Sequence, residues 1–490
     1  MARMIRLSRS TTNMSRLFWK NQSAAAASIL APAFVSKRLP IPLRSSSIDD
    51  AQGWVKFTLR HIASARVLVR ANQDVNKGES RTMSTPEAVG LSSERLKRID
   101  SFIQAKYIDT GKLPCALTQV WRRGQLAHTS VLGSADVERG KPLKADSLFR
   151  IYSMTKPITS VAFMMLVEEG LASLDDPVHR FIPAWRDIGV FQAGVAGAFQ
   201  TTRTKEPMRT IDLLRHTSGL TYGFQQRTNV DAAYRKLKLD GVDSEGGLKT
   251  FVETLGTVPL EFSPGEAWNY SVATDVLGYL VEVISGMPFD VFLKTRIFDP
   301  LKMVDTGFFV PEGQRERFTA CYALTPSGKV VLQDDPEKSR YLSDPSVKSG
   351  GGGLVSTADD YMRFCRMLLN GGELDGVRLL SPKTIKLMTM NHIPGGQELV
   401  QASKSLFSEA VFEGLGFGLG FAMTIDQART KNLGSLGEYF WGGMASTAFW
   451  IDPVEDLAVV FMTQLMPSTS YPIRRELRTL VYSSFTEAAG

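Results

Sequence analysis

Cysteine is scarce in this chain: three in 490 residues, Cys115, Cys321 and Cys365, far apart and in no CxxC pair. That count and spacing exclude a disulfide scaffold and a cysteine-ligated zinc site, and they suit a reducing compartment. Each cysteine sits in apolar or strand-like sequence, so none reads as a nucleophile. The five histidines are dispersed, with no HExxH or HxH spacing for a metal. No run of 18 apolar residues exists, which excludes a simple membrane span; the longest candidate, Ala24 to Val35, is broken by Ser28 and Pro32. There is no Walker loop, no G-x-G-x-x-G and no G-x-S-x-G nucleophile elbow. "SGGGGL" lacks the lysine or the spacing for phosphates, so Gly350 to Gly353 read as a tight backbone path. No repeat of fixed period is present.

Acidic residues are missing from one place. Residues 1–48 hold eight Arg or Lys and no Asp or Glu, and residues 49–83 hold six basic and four acidic side chains. Removing eight and two from the overall +7 leaves residues 84–490 at −3, so the body carries no nucleic-acid footprint. The acid-free head, rich in Arg and Ser with Met4, Leu7, Met14, Leu17 and Phe18 at roughly helical spacing, has the composition of a mitochondrial transit peptide. A disordered basic tail is the bland alternative. A shorter, cytoplasmic form starting at Met83 is another. Residues 49–83 read as a linker or N-terminal extension.

What is present is a globular composition, 43% hydrophobic and 22% charged, enough for one large core or two packed subdomains. Ser92 or Ser93 can cap a helix carrying Leu96, Ile99, Phe102 and Ile103 on one face. "CALTQVWRRGQLAHTSVLG" alternates around Arg123-Gly124 as a hairpin. A helix after "YSMTKP" stops at Gly170, and "DVLGYLVEVISG" is an apolar helix ended by Gly286. Thr357 is placed to cap a helix with Asp359 and Asp360 in its first turn. "GFGLGFAMTID" alternates, "ASTAFWIDPVEDLAVVFMTQL" is a hairpin turning at Asp452 to Asp456, and a last helix closes the chain. Strands at both ends predict one antiparallel sheet flanked by helices, a mixed α/β (α+β) fold. An all-helical subdomain at about 175–300 is inserted between them.

"YSMTKP" carries the chemistry. Ser153 and Lys156, three apart at a helix start, share a face. Burial and the positive helix end favour a neutral lysine amine able to accept the serine proton, and the Ser153 N–H points at a developing oxyanion. Pro157 is tolerable only if the helix begins here. Ser153 is the one S-x-x-K match in the chain, yet about two are expected by chance, and a capping serine with a solvated lysine is the structural alternative. Tyr270, in "PGEAWNYSVATDVLGYL", is either a packed aromatic or a phenol of depressed pKa that shuttles the proton. Gly442-Gly443 is either a bulge or a place where substrate approaches a strand edge. His216, in "LLRHTSGL", reads as a turn-stabilising residue, and His128 and His392 likewise as structural.

The order S-x-x-K, then Y-S-x about 115 residues later, then W-G-G before the last hairpin resembles the serine β-lactamase and penicillin-binding-protein superfamily. "LLRHTSGL", "PGEAWNYSVATDVLG", "SGGGGLVSTADDYMRF" and "WIDP" support it over about residues 84–490. The match is nearest to the class C-related branch of carboxylesterases and acyltransferases. By position, the resemblance makes Ser153 the nucleophile, Lys156 its proton-transfer partner and Tyr270 the base. It puts Trp441-Gly442-Gly443 at the third, substrate-binding motif, with the Met444 N–H as second oxyanion donor beside that of Ser153. Two positions depart from the pattern. Tyr270-Ser271-Val272 lacks the Asn amide, and Trp441 stands where a cation binds a substrate carboxylate, which an indole cannot do. Both favour uncharged esters over β-lactams or D-Ala-D-Ala peptides, with Trp441 shaping the acyl pocket. The implied function is ester hydrolysis or acyl transfer through an acyl-serine, with no cofactor or metal. The expected partner is a small-molecule ester, with no nucleic acid and no membrane span. The rival readings are a catalytically weak structural or assembly protein, and a D-amino-acid peptidase.

Overall fold

The structure, a computed structural model, describes residues 85–488 apart from 243, 411 and 412. The basic head read as a transit peptide lies outside the described residues. Eight strands form the main sheet: β1 (Cys115–Arg122), β2 (Gln125–Asp136), β3 (Lys141–Pro142), β4 (Leu415–Phe417), β5 (Ala422–Thr424), β6 (Tyr439–Gly442), β7 (Ala448–Asp452) and β8 (Leu457–Met462), in the order β4-β5-β6-β7-β8-β1-β2-β3. Every neighbouring pair is antiparallel. The centre joins the two ends of the chain: Leu117 of β1 lies opposite Met462 of β8.

The β1–β2 hairpin turns where both Arg123 and Gly124 have positive φ (47° and 77°), as a two-residue primed turn requires. Every residue of β7 and β8 is buried, which marks strands covered on both faces. Helix α1 (Ser93–Ile103) and the last helix α5 (Ile473–Ser483) pack together on one side, and α4 (Ala358–Leu369) lies against β7, β8 and β1 on the other. Neighbouring residues of β7 show the division. Phe449 meets Tyr361 of α4 at 5.2 Å, while Trp450 faces the Arg478 guanidinium of α5 at 5.1 Å. The caps fall where the sequence placed them. Ser92 Oγ accepts the Arg95 N–H and Thr357 Oγ1 the Asp360 N–H, each bond stabilising its helix by about 1 kcal/mol.

Helix α2 (Thr155–Glu168) is buried from Thr155 through Leu166 and packs against α3 (Ala273–Ser285). A helix buried on all sides belongs in a core. The insertion differs from expectation in one respect. It is mostly helical, but Val190–Val195 and Ala198–Thr202 pair as a largely exposed hairpin. With little of it buried, its sequence shows no clean alternation of apolar and polar residues.

Candidate active site

A tight turn leads into α2. Tyr152 to Met154 form one 3-10 turn that runs into the helix at Thr155, so Pro157 falls in the first helical turn, where its missing N–H costs no hydrogen bond. Tyr152 holds φ 42°, a left-handed conformation that a bulky residue adopts only when its surroundings impose it. Behind the turn, Gly443 has no side chain because none fits: a Cβ there would lie 2.3 Å from Thr447 Oγ1 and 2.4 Å from the Ile151 carbonyl. The end of β6 is thereby pressed against the residues that carry Ser153.

Lys156 is fully buried. Its Nζ lies 3.2 Å from Ser153 Oγ, 2.9 Å from Tyr222 Oη and 2.6 Å from the Gly351 carbonyl. Burial lowers its pKa to about 8, against an opposing pull from Asp275 and Glu409. The Gly351 carbonyl is itself fixed. Asp275 Oδ1 accepts the Gly351 N–H at 3.1 Å and the Ser349 hydroxyl. A side chain at Gly351 would sit 2.4 Å from Asp275 Oδ2. The glycine run is thus a close-approach loop that offers the lysine an acceptor.

Tyr270 reaches Ser153 from the other side. Both line the same cleft, and the Tyr270 phenol accepts from Trp441 Nε1 at 3.4 Å. The expected depression of its pKa does not occur: burial, with the nearby Glu409 charge, pushes the phenol up, and the Ser153 and Trp441 side chains offset only part of this. Tyr270 is therefore a neutral hydroxyl at rest. The Lys156 ammonium position lies 4.6 Å from its ring centroid.

Ser153 opens onto a cleft of about 260 Å³, lined by Tyr152, Tyr222, Phe224, Tyr270, Phe407 and Met444 among others. Met444, the expected second oxyanion donor, is among the lining residues. Trp441, Gly442 and Gly443 are not among the residues that line this cleft. Trp441 is 1% exposed and stands behind Tyr270, ring centroids 5.5 Å apart. Gly442 makes room for the Arg474 guanidinium, which donates to the carbonyls of Gly443 and Thr447 and to Glu409. The apolar walls are instead Phe224, Phe407 and Val242. Tyr222, Asp275 and Glu409 were not anticipated. Tyr222 follows "HTSGL", where an aromatic after a turn is the only local signal.

The histidines make structural contacts. His216 is buried, its Nδ1 3.2 Å from Ser271 Oγ and its ring packed on Trp268, Tyr270 and Phe417. Burial holds its pKa well below the ordinary value, so it stays neutral. His128 pairs with Asp100, and His392 with the Leu387 carbonyl. Among the described residues no group of three or more His, Cys, Asp or Glu converges as metal ligands do, and no single helix is long and apolar enough to cross a membrane.

A Ser-x-x-Lys pair with its lysine buried and a tyrosine beside it, set between an antiparallel sheet and an inserted helical region, fits the β-lactamase/transpeptidase-like fold. The chain belongs to the Beta-lactamase family of hydrolases, whose model matches residues 99–483. It is 36% identical over 365 residues to Protein Rv1367c of Mycobacterium tuberculosis, covering 74% of this chain and 88% of that one. It is 30% identical over 419 residues to Esterase EstB of Burkholderia gladioli, covering 81% and 98%. Among solved structures, EstCE1, described as a hydrolase with promiscuous acyltransferase activity, superposes with a TM-score of 0.67 at 25% identity, covering 81% and 99%. Simvastatin synthase (LovD) of Aspergillus terreus shares the fold, with a TM-score of 0.65 at 24% identity over 82% and 98%.

Proposed function

We propose that this protein is a serine hydrolase or acyltransferase that acts on esters through an acyl-Ser153 intermediate. The observation that carries the reading is the position of Ser153 Oγ. It lies 3.2 Å from the amine of a buried lysine whose pKa is lowered to about 8, at the floor of an open cleft. Neutral Lys156 takes the Ser153 proton as Oγ bonds to the substrate carbonyl carbon. The carbonyl oxygen gains the charge and is held by the N–H groups of Ser153 and Met444, each such donor contributing about 3 kcal/mol. When the intermediate collapses, the ester C–O bond breaks. The leaving alkoxide takes a proton from the neutral Tyr270 hydroxyl, and the adjacent Lys156 ammonium, which holds the proton taken from Ser153, returns one to the phenolate and becomes neutral again. Water or a second alcohol then attacks the acyl-serine by the same route in reverse.

The names of EstB and EstCE1 support esters as the substrate class. Intact mass after fluorophosphonate treatment tests the mechanism. One adduct is expected on the wild type and none on Ser153→Ala; an unlabelled, well-folded wild type rejects it. Mitochondrial import by residues 1–48 belongs to the same proposal, and the location of a fluorescent fusion to that segment checks it.

A further inference from the structure

The outer part of the cleft carries a pattern that the acyl-serine chemistry does not use. Phe224 stacks on Tyr222, centroids 4.6 Å apart at 19°, and Phe407 meets Phe224 edge to face at 5.7 Å. Both phenylalanines are only half-buried. Phe407 is held in place: Gln225 Oε1 accepts the N–H groups of Leu406 and Phe407, and Gln225 Nε2 donates to the Phe407 carbonyl. Two carboxylates line the same cleft, Asp240 and Glu409. The Glu409 side chain is 1% exposed; Oε2 takes a bond from Arg474, and Oε1 has no partner among the described residues. The one arginine of the lining, Arg340, is exposed and lies 5.4 Å from the Tyr341 ring centroid.

Arg474 pairs with only one oxygen of Glu409, so the aromatic walls, the unpartnered Glu409 Oε1 and Asp240 favour positive charge in the outer cleft. A quaternary ammonium suits such a place, because it has no N–H to satisfy, is weakly hydrated and is attracted to ring faces. A carboxylate entering the same space meets Asp240 and Glu409. We propose that the outer cleft is a cation subsite, and that the favoured substrates are esters carrying a quaternary or substituted ammonium group. This rests on the ester-hydrolase reading for turnover, though not for binding.

Two measurements separate the two ideas. Calorimetry of choline with the full-chain Ser153→Ala protein reads the subsite without catalysis. Saturable binding, weakened in Asp240→Asn and in Glu409→Gln, is expected. No saturable binding overturns the proposal whether or not esters are hydrolysed. In the wild type, kcat/KM for acetylthiocholine is compared with that for its neutral isostere, 3,3-dimethylbutyl thioacetate. A preference of roughly tenfold for the cation is expected. Equal or better turnover of the neutral ester overturns the subsite and leaves the hydrolase standing. Choline binding with neither ester turned over does the opposite. Asp240→Asn guards against a folding defect in Glu409→Gln, because it leaves the Arg474 pair intact.

Discussion

The floor and the rim of the cleft are built differently. At the floor, Lys156, Tyr270 and Asp275 are all buried, and Lys156 has three oxygen neighbours within 3.2 Å. At the rim, Phe224 and Phe407 are half-buried, Arg340 is exposed, and the contacts are ring against ring. The floor has one arrangement that works, since each buried polar group depends on its partner. The rim can exchange side chains at little cost in folding. The proposed chemistry and the proposed selectivity thus fall on different parts of one small cavity.

The contrast is broken most severely at Lys156. Lys156→Met keeps the length of the side chain and removes the amine, and kcat is expected to fall by about 10³-fold. Stopped-flow ester kinetics measures this, with circular dichroism confirming the fold. Gly443→Ala drives a methyl group into Thr447 and the Ile151 carbonyl. A shift of the Ser153 turn by an ångström is expected to cost about 10²-fold in kcat. Thermal melting should register about 1–3 kcal/mol of overpacking.

Asp275→Asn tests the floor by its charge. In the proposed mechanism Lys156 acts when neutral, so kcat/KM should rise with pH through a limb near the lysine value of about 8. Asp275 raises that pKa; without its charge the pKa falls further, and the limb moves to lower pH. A pH–rate profile with an unmoved limb shows that Asp275 acts only as a scaffold for Gly351. Phe407→Ala is the mildest change. It should lower kcat/KM for an ammonium ester by about three- to tenfold with little effect on the neutral isostere. The melting temperature should be nearly unchanged, because the ring is already half-exposed.

The same division governs what could be read before the fold was known. Ser153 and Lys156 are three residues apart at a helix start, so their proximity is a property of local geometry. The hairpins at Arg123-Gly124 and at Asp452 to Asp456, and the caps at Ser92 and Thr357, are likewise set by neighbours in sequence. Tyr222, Asp275 and Glu409 are brought to the lysine by packing, and nothing near them in the chain marks their destination. Trp441 shows the limit of reading a motif by position. The indole belongs to the site, but it stands behind Tyr270 and donates to its hydroxyl, because the strand's alternation points it into the core. The Tyr270 phenol was misjudged for a related reason, since burial outweighs a neighbouring ammonium and only the fold shows how complete that burial is.

The pairing of β1 with β8 bears on how the protein is made. Leu117 and its partner Met462 are separated by most of the chain, so a ribosome releases "YSMTKP" long before the strands that support it exist. The Ser153 turn, pressed against Gly443, has no backing until the end of the chain emerges. Long-range closure of this kind is slow. Activity should therefore arise only after synthesis ends, and a chain stopped before residue 457 should be inert and prone to bind chaperones.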